Sequence, residues 1–298
     1  WNQWWNKEEL EKNPIKFLNK IYVKFNDEYE KAKAVSEEKW KEFNEFWKIE
    51  FKKLEDWDEE NLEIWKIFVK YSLKEFQEKY DILWSKFDLM QWEYFYWFML
   101  DEIIWWLNKS EIWEIWENWA KIVKFFDKKW EEKAPLMYQK GDWSSTYATR
   151  DLAAIKWRAE NVFDKTGPNE ILYCVWKEQS QHFEQVFEVA QKMNWNKWAI
   201  LTHIKNGHYR LPEWKMSTRK WNVIKLDKLI ETSRIKAREL LETKESFWNF
   251  DSEYKEKLVE SIAIWAIKFN DLCQDRDWDI TFTFEKAITF DWMSGPYM

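Results

Sequence analysis

The chain has 298 residues, 34% of them charged, and a formal net charge of −7; that length exceeds one small core, so one large domain or two are expected. The acidic balance argues against a protein that holds nucleic acid by bulk electrostatics. No apolar run approaches the ~20 residues that span a bilayer, which leaves no membrane-crossing helix to expect.

In chain order, the N-terminal stretch carries neither an initiator Met nor a basic region ahead of an apolar block, so it reads as internal sequence and not as a signal peptide. Residues 7–133 read mostly as amphipathic helices: Ile15, Leu18, Ile21, Tyr22 and Phe25 recur at helical spacing, as do Leu62, Trp65, Phe68, Val69, Leu73 and Phe76. The composition changes at Glu132-Lys-Ala-Pro-Leu136, which leads to a turn at Lys140-Gly-Asp-Trp143. From there helices and strands alternate. Ser144–Arg158 reads as a helix opened by Ser/Thr caps, Ile171–Val175 as a short buried strand, Ser180–Met193 as a capped helix and Trp198–Ile204 as a second buried strand. Strand, helix, strand at this spacing predicts a βαβ unit and a parallel sheet, hence an α/β fold. Two long helices are expected over Leu226–Glu245 and Tyr254–Gln274. Cys174 and Cys273 imply a reducing compartment with no disulfide framework, and neither has metal-ligand company.

Twenty-seven tryptophans stand against four glycines, although glycine ordinarily makes up ~7% of a chain. Trp57, Trp143, Trp278 and Trp292 follow Asp, and Trp119 and Trp195 follow Asn. With glycine in those places each pair becomes Asp-Gly or Asn-Gly, the strongest turn dipeptides. The simplest expectation is a UGA codon translated as Trp where the source reads it as Gly, with some tryptophans genuine, Trp65 among them. The alternative is a Trp-rich binding module whose indoles stack on sugars, bases or a membrane interface.

Three constellations can carry chemistry. Tyr147 and Asp151 are four residues apart, so a helix presents phenol and carboxylate on one face, a pair suited to a planar guanidinium or to a surface cap with a salt bridge. Gln179 and His182 open the helix after the first strand, where open α/β sheets bind ligands; His182 also suits a helix cap. Leu201–Leu240 holds ten Lys/Arg against four acidic residues, a local +6. Within it Lys215, Arg219 and Lys220 cluster with Ser217 and Thr218 on a loop suited to polyphosphate; a solvated helix face is the other reading of the charge. No Walker-type loop and no His metal spacing occurs.

Placing Gly at Trp143, Trp176, Trp214, Trp221, Trp265 and Trp292 gives D-G-S-S-T-Y-A-T-R-D-L-A-A, V-G-K-E-Q-S-Q-H-F, L-P-E-G-K-M-S-T-R-K-G-N-V-I, I-G-A-I-K-F-N-D-L and F-D-G-M-S-G-P-Y. These five ordered blocks resemble arginyl-tRNA synthetase, a class I aminoacyl-tRNA synthetase. The likeness is strong from about Ala134 onward and looser over the helical first part, where Leu54-Glu-Asp-Trp-Asp-Glu-Glu60 and Asp81-Ile-Leu-Trp-Ser-Lys-Phe-Asp88 are similar to the family's insertion.

The resemblance implies a cytoplasmic ligase that uses ATP with Mg²⁺ to make arginyl-adenylate and passes arginyl to tRNA(Arg). It implies a helical insertion over 1–133, the second half of a Rossmann-like domain over 134–225 and a helical stem over 226–298. By motif, Tyr147 and Asp151 hold the guanidinium, Gln179 holds the backbone end of arginine and His182 supports the pocket. Lys215-Met216-Ser217-Thr218-Arg219 resembles the mobile KMSKS loop on ATP, with Lys215, Ser217, Arg219 and Lys220 as the catalytic set. Thr218 departs from that pattern at the second lysine, leaving Arg219 or Lys220 as substitutes. The HIGH signature and the anticodon-binding domain are not found in these residues, so the expectation is an internal fragment with half an active site. An inactive synthetase paralogue is the further alternative.

Overall fold

The computed structural model describes residues 6–162, 169–210 and 225–281. The chain forms two compact units, each discontinuous in sequence: one comprises 27–70 and 87–205, the other 1–26, 71–86 and 206–298.

The first part is helical as its periodicity predicts, with α1 (Lys7–Lys12), α2 (Pro14–Val35), α3 (Glu37–Glu55), α4 (Glu59–Ile82) and α5 (Leu100–Lys109). Pro14 opens α2, where a missing N–H costs nothing. Ser36 caps α3 by accepting from the Lys39 amide. The helical expectation ends early, however. Residues 113–139 form an antiparallel meander of β1 (Trp113–Ile115), β2 (Lys121–Phe126) and β3 (Glu132–Gln139). Lys121-Ile-Val-Lys-Phe-Phe126 is β-branched and aromatic, the composition of a strand, and the 3.6-residue pattern of the preceding helices masked it. The composition change at residues 132–136 is the first half of β3.

Next come α6 (Tyr147–Asn161), β4 (Glu170–Trp176), α7 (Ser180–Lys192) and β5 (Ile200–Asn206). Helix α6 begins three residues later than Ser144, because Thr146 is its cap: Thr146 Oγ1 accepts from the Thr149 amide while Thr149 Oγ1 accepts from the Thr146 amide. Strands β4 and β5 are neighbours. Their starts lie together, with the Ile200 amide donating to the Asn169 carbonyl, and His203 further on reaches the Val175 carbonyl, so they run parallel as the βαβ reading requires. They are half-buried, not buried as expected: Ile171 and Tyr173 face the core while Leu172, Cys174 and Ile200 are exposed. The core of this unit joins Tyr96, Ile103 and Leu107 with Val123, Leu136, Tyr138, Leu152, Ile155, Val186 and Val189.

In the other unit α8 (Leu226–Glu242) packs on α9 (Ser252–Leu272) through Ala237, Leu241, Val259 and Ala263, with Phe247 beside them. The buried Ser233 hydroxyl donates to the Ala263 carbonyl at 3.0 Å, and Arg234 binds Glu260 across the pair. Strands β6 (Tyr209–Arg210) and β7 (Ile280–Thr281) pair in parallel. Gly207 permits that junction, since a Cβ there would lie 2.0 Å from the Trp278 carbonyl oxygen.

Nine non-glycine residues among those described have positive φ, and six are tryptophan: Trp57, Trp84, Trp119, Trp130, Trp143 and Trp198, with φ from 51° to 70°. Of the Asp/Asn-Trp pairs, Trp57, Trp119 and Trp143 belong to this group; Trp278, which is also described, does not. Trp195 does not: it is 5% exposed within the core, and Asn194 takes the left-handed φ. Trp292 lies outside the described residues.

Candidate active site

Helix α6 places Tyr147 and Asp151 one turn apart on one face, as the i, i+4 spacing requires. Helix α7 starts at the carboxyl end of β4 and brings His182 against both. His182 Nε2 lies 2.7 Å from Asp151 Oδ2, and the His182 ring stands 4.6 Å from the Tyr147 ring. A carboxylate only accepts, which assigns the imidazole hydrogen in that contact to Nε2. His182 Nδ1 is buried with no partner among the described residues. The side chain of His182 is 9% exposed and that of Asp151 is 30% exposed, and Tyr147 lies open to solvent. Asp151 thus has one oxygen held and retains accepting capacity toward a ligand.

The floor behind this trio is aromatic. Phe183 packs beside His182, and His203 lies 4.9 Å from the Phe183 ring with its Nε2 on the Val175 carbonyl at 3.1 Å. Arg158 donates to the Tyr173 hydroxyl at 3.1 Å and rests over the rings of Tyr96 and Tyr173. Burial pushes the Tyr173 phenol up to about 12, with the Asp151 charge adding to the rise and the Arg158 charge opposing it. The internal guanidinium is therefore engaged by tyrosines, and Asp151 is engaged by His182.

Next to Asp151 in sequence, Arg150 is clamped. It donates to Glu55 at 3.2 Å, to Glu93 at 3.1 Å and to the Ser145 hydroxyl at 3.3 Å, and Ser145 donates to Glu55 at 2.5 Å. The Glu55 side chain is only 5% exposed. This cluster fixes the first turn of α6, from which Tyr147 and Asp151 project. The sequence reading missed it, because Glu55 and Arg150 are 95 positions apart; the only local signal was an Arg between two site residues.

The structure thus brings Tyr147, Asp151 and His182 together. Gln179 sits at the N-cap of α7, three residues before His182, on the strand-to-helix junction where it was expected. Trp176 occupies the turn into that junction with φ −53°, and Trp265 is an exposed position within α9. Lys215, Met216, Ser217, Thr218, Arg219 and Lys220 lie outside the described residues, as do Trp214 and Trp221. Among the described residues no group of three His, Cys, Asp or Glu could hold a metal ion, and no helix is long and apolar enough to cross a membrane.

A βαβ unit whose histidine, just past the carboxyl end of its first strand, meets a tyrosine and a carboxylate on the preceding helix fits a class I tRNA synthetase catalytic domain. The chain belongs to that family: residues 2–284 match the family model described as tRNA synthetases class I (R), catalytic domain. The relatives it matches are arginine–tRNA ligases. It is 37% identical over 300 residues to an arginine–tRNA ligase of Clostridium perfringens and 32% identical over 298 residues to that of Fusobacterium nucleatum, in each case over all of this chain and 49% of the other protein. The chain therefore spans about half the length of the curated relatives it matches. Among solved structures, the arginyl-tRNA synthetase from Plasmodium falciparum superposes with TM-score 0.68 at 28% identity, over 87% of this chain and 42% of that one. The Thermus thermophilus arginyl-tRNA synthetase gives 0.64 at 18% identity over 94% of this chain and 49% of that one, a likeness of fold.

Proposed function

We propose that the chain carries the arginine-binding part of an arginine–tRNA ligase active site, together with its ATP loop. The observation that carries this reading is the Tyr147–Asp151–His182 cluster. A guanidinium is planar with five donors and never loses its charge; the outer oxygens of Asp151 accept from it and Tyr147 lies against it. His182 holds the Asp151 carboxylate in place. Gln179, one turn away, takes the backbone end of the amino acid. Arg158 is bound to Tyr173 and so does not occupy the ligand's place beside Asp151.

In the proposed reaction an arginine carboxylate oxygen attacks the α-phosphorus of ATP, the α–β bridging P–O bond breaks, and pyrophosphate leaves. Lys215, Ser217, Arg219 and Lys220, with Met216 and Thr218 between them, supply charge and donors to the pyrophosphate oxygens as charge develops. Mg²⁺ enters with ATP as part of the substrate. A hydroxyl of the terminal tRNA(Arg) ribose then attacks the activated carbonyl and AMP leaves. The cytoplasm is the compartment this activity needs. The three regions of the catalytic part are a helical insertion over 1–133, the Rossmann-like second half over 134–225 and a helical stem over 226–298.

Arginine-dependent ATP–pyrophosphate exchange tests the reading. The full-length ligase encoded by the parent gene should exchange with arginine, and the 298-residue chain alone should not. Exchange by the 298-residue chain would overturn the divided-site reading. Exchange driven by another amino acid in the full-length protein would overturn the substrate.

A further inference from the structure

We infer that the native residues at Trp57, Trp84, Trp119, Trp130, Trp143 and Trp198 are glycines, encoded by a codon that the source reads as glycine, and that positive φ marks them independently of any sequence block; Trp176 and Trp265, at ordinary φ, are glycine positions on their sequence blocks alone. This inference does not depend on the proposed reaction. It rests on three kinds of turn, each of which appears twice.

Two of the six end helices. Past α3 the Trp57 amide donates to the Leu54 carbonyl and the Asp58 amide to the Lys53 carbonyl; past α4 the Trp84 amide donates to Asp81 and the Ser85 amide to Tyr80. That double bond pattern is the Schellman motif, whose left-handed residue is usually Gly and sometimes Asn. Helix α7 supplies the control. The Asn194 amide donates to Gln191 and the Trp195 amide to Ala190, with Asn194 at φ 54°. There an asparagine takes the left-handed place and the tryptophan beyond it packs into the core.

Two more close hairpins. The Trp130 amide donates to Asp127 while the Asp127 amide donates to Glu131, and the Trp143 amide donates to Lys140 while the Lys140 amide donates to Ser144. These are three-residue loops in which a type I turn is followed by a left-handed residue at a bulge, a glycine position. The last two lie in turns whose central residues both have positive φ: Asn118 and Trp119, bridged by Ala120 to Glu117, and Lys197 and Trp198, bridged by Ala199 to Asn196. Type I′ turns of this kind favour Asn-Gly.

A bulky L-residue at positive φ is an outlier anywhere, and here one residue type fills six such positions. Indole burial does not compensate, since all six are between 46% and 88% exposed. Trp84 and Trp130 have ring neighbours 6.2 Å away and Lys121 lies over Trp143, all at exposed indoles. By contrast Trp65 stands 4.0 Å from the Tyr94 ring, Trp157 5.0 Å from the Phe95 ring, and Trp195 is in the core. These three use their indoles, and none has positive φ.

The test is tandem mass spectrometry of peptides from the protein isolated from its source cells, read beside the coding DNA. Peptides over the six turn positions should each be lighter by the difference between an indolylmethyl group and a hydrogen, with UGA at those codons; peptides over Trp65, Trp157 and Trp195 should carry tryptophan from UGG. Tryptophan at any of the six overturns the inference. Glycine at Trp65, Trp157 or Trp195 overturns the claim that a packed indole at ordinary φ marks a genuine tryptophan.

Discussion

Helix α6 has two faces in its first turn, and they are built differently. On one, Arg150 is locked by Glu55 and Glu93, both distant in sequence, and by Ser145 just ahead of the helix. On the other, Asp151 has one hydrogen bond from His182, and Tyr147 is open to solvent. The first face spends its hydrogen-bonding capacity on the fold; the second keeps capacity in reserve. That asymmetry, more than burial, supports the proposal that the second face binds a ligand, since both faces carry an acid and a base.

Breaking the locked face should have the largest effect. Arg150→Ala leaves Glu55 buried without its counter-ion, which predicts a loss of about 3–5 kcal/mol in a denaturant melt. Replacing Glu55 and Arg150 together by Gln and Met should recover most of it, because no charge is then stranded. The Glu93 contact is exposed on its acidic side and should contribute little, so Glu93→Gln should stay within about 0.5 kcal/mol.

The open face should respond in binding and not in stability. His182→Ala frees the Asp151 carboxylate from its one orienting donor, and in the full-length ligase it should raise the arginine KM by about 10-fold, the worth of a modest charge-assisted bond. The ATP KM should not follow. An equal rise in both would show that His182 supports the whole fold and not the arginine side.

Smaller effects come from the turn that leads into α6. Trp143→Gly should stabilise the chain by about 1 kcal/mol, because the turn holds this residue at φ 67°. A drop in melting temperature would contradict that. Asp142, in the same turn, has its carboxyl held below the ordinary range: burial raises it, but the hydrogen bonds from the Ser144 hydroxyl and amide outweigh burial. A lowered folded pKa gives stability that is complete above the unfolded value of about 3.9 and lost as pH falls through the folded value. The gap in melting temperature between the parent chain and Asp142→Asn should therefore shrink below about pH 4.

Much of the site was legible because its geometry is local. The spacing of Tyr147 and Asp151 needs only a helix, and the position of Gln179 and His182 needs only a strand-to-helix junction; both follow from capping residues and hydrophobic runs. The contact between Asp151 and His182 spans 31 residues, with α6 and α7 joined through strand β4. Glu55 with Arg150 had no such carrier, since nothing local says which distant acid an arginine will choose. The meander of β1, β2 and β3 escaped for another reason. Its turns are written Asn118-Trp119 and Lys129-Trp130, so the glycine punctuation that marks hairpins was missing. Trp195 misled in the opposite sense: its Asn-Trp pair looked like a turn, and the asparagine alone makes the turn.

The most direct test of the arginine-binding assignment is steady-state kinetics of Asp151→Asn in the full-length enzyme with glycine at Trp143, Trp176, Trp214, Trp221, Trp265 and Trp292 as well as at the other turn positions. Removing the charge that faces the guanidinium while keeping the side-chain shape forfeits about 2–4 kcal/mol, which predicts kcat/KM for arginine lower by roughly 30- to 1,000-fold. The ATP KM should move by less than about 2-fold, since the proposed ATP loop involves other residues. Arginine kinetics unchanged in Asp151→Asn would contradict the assignment of this pocket.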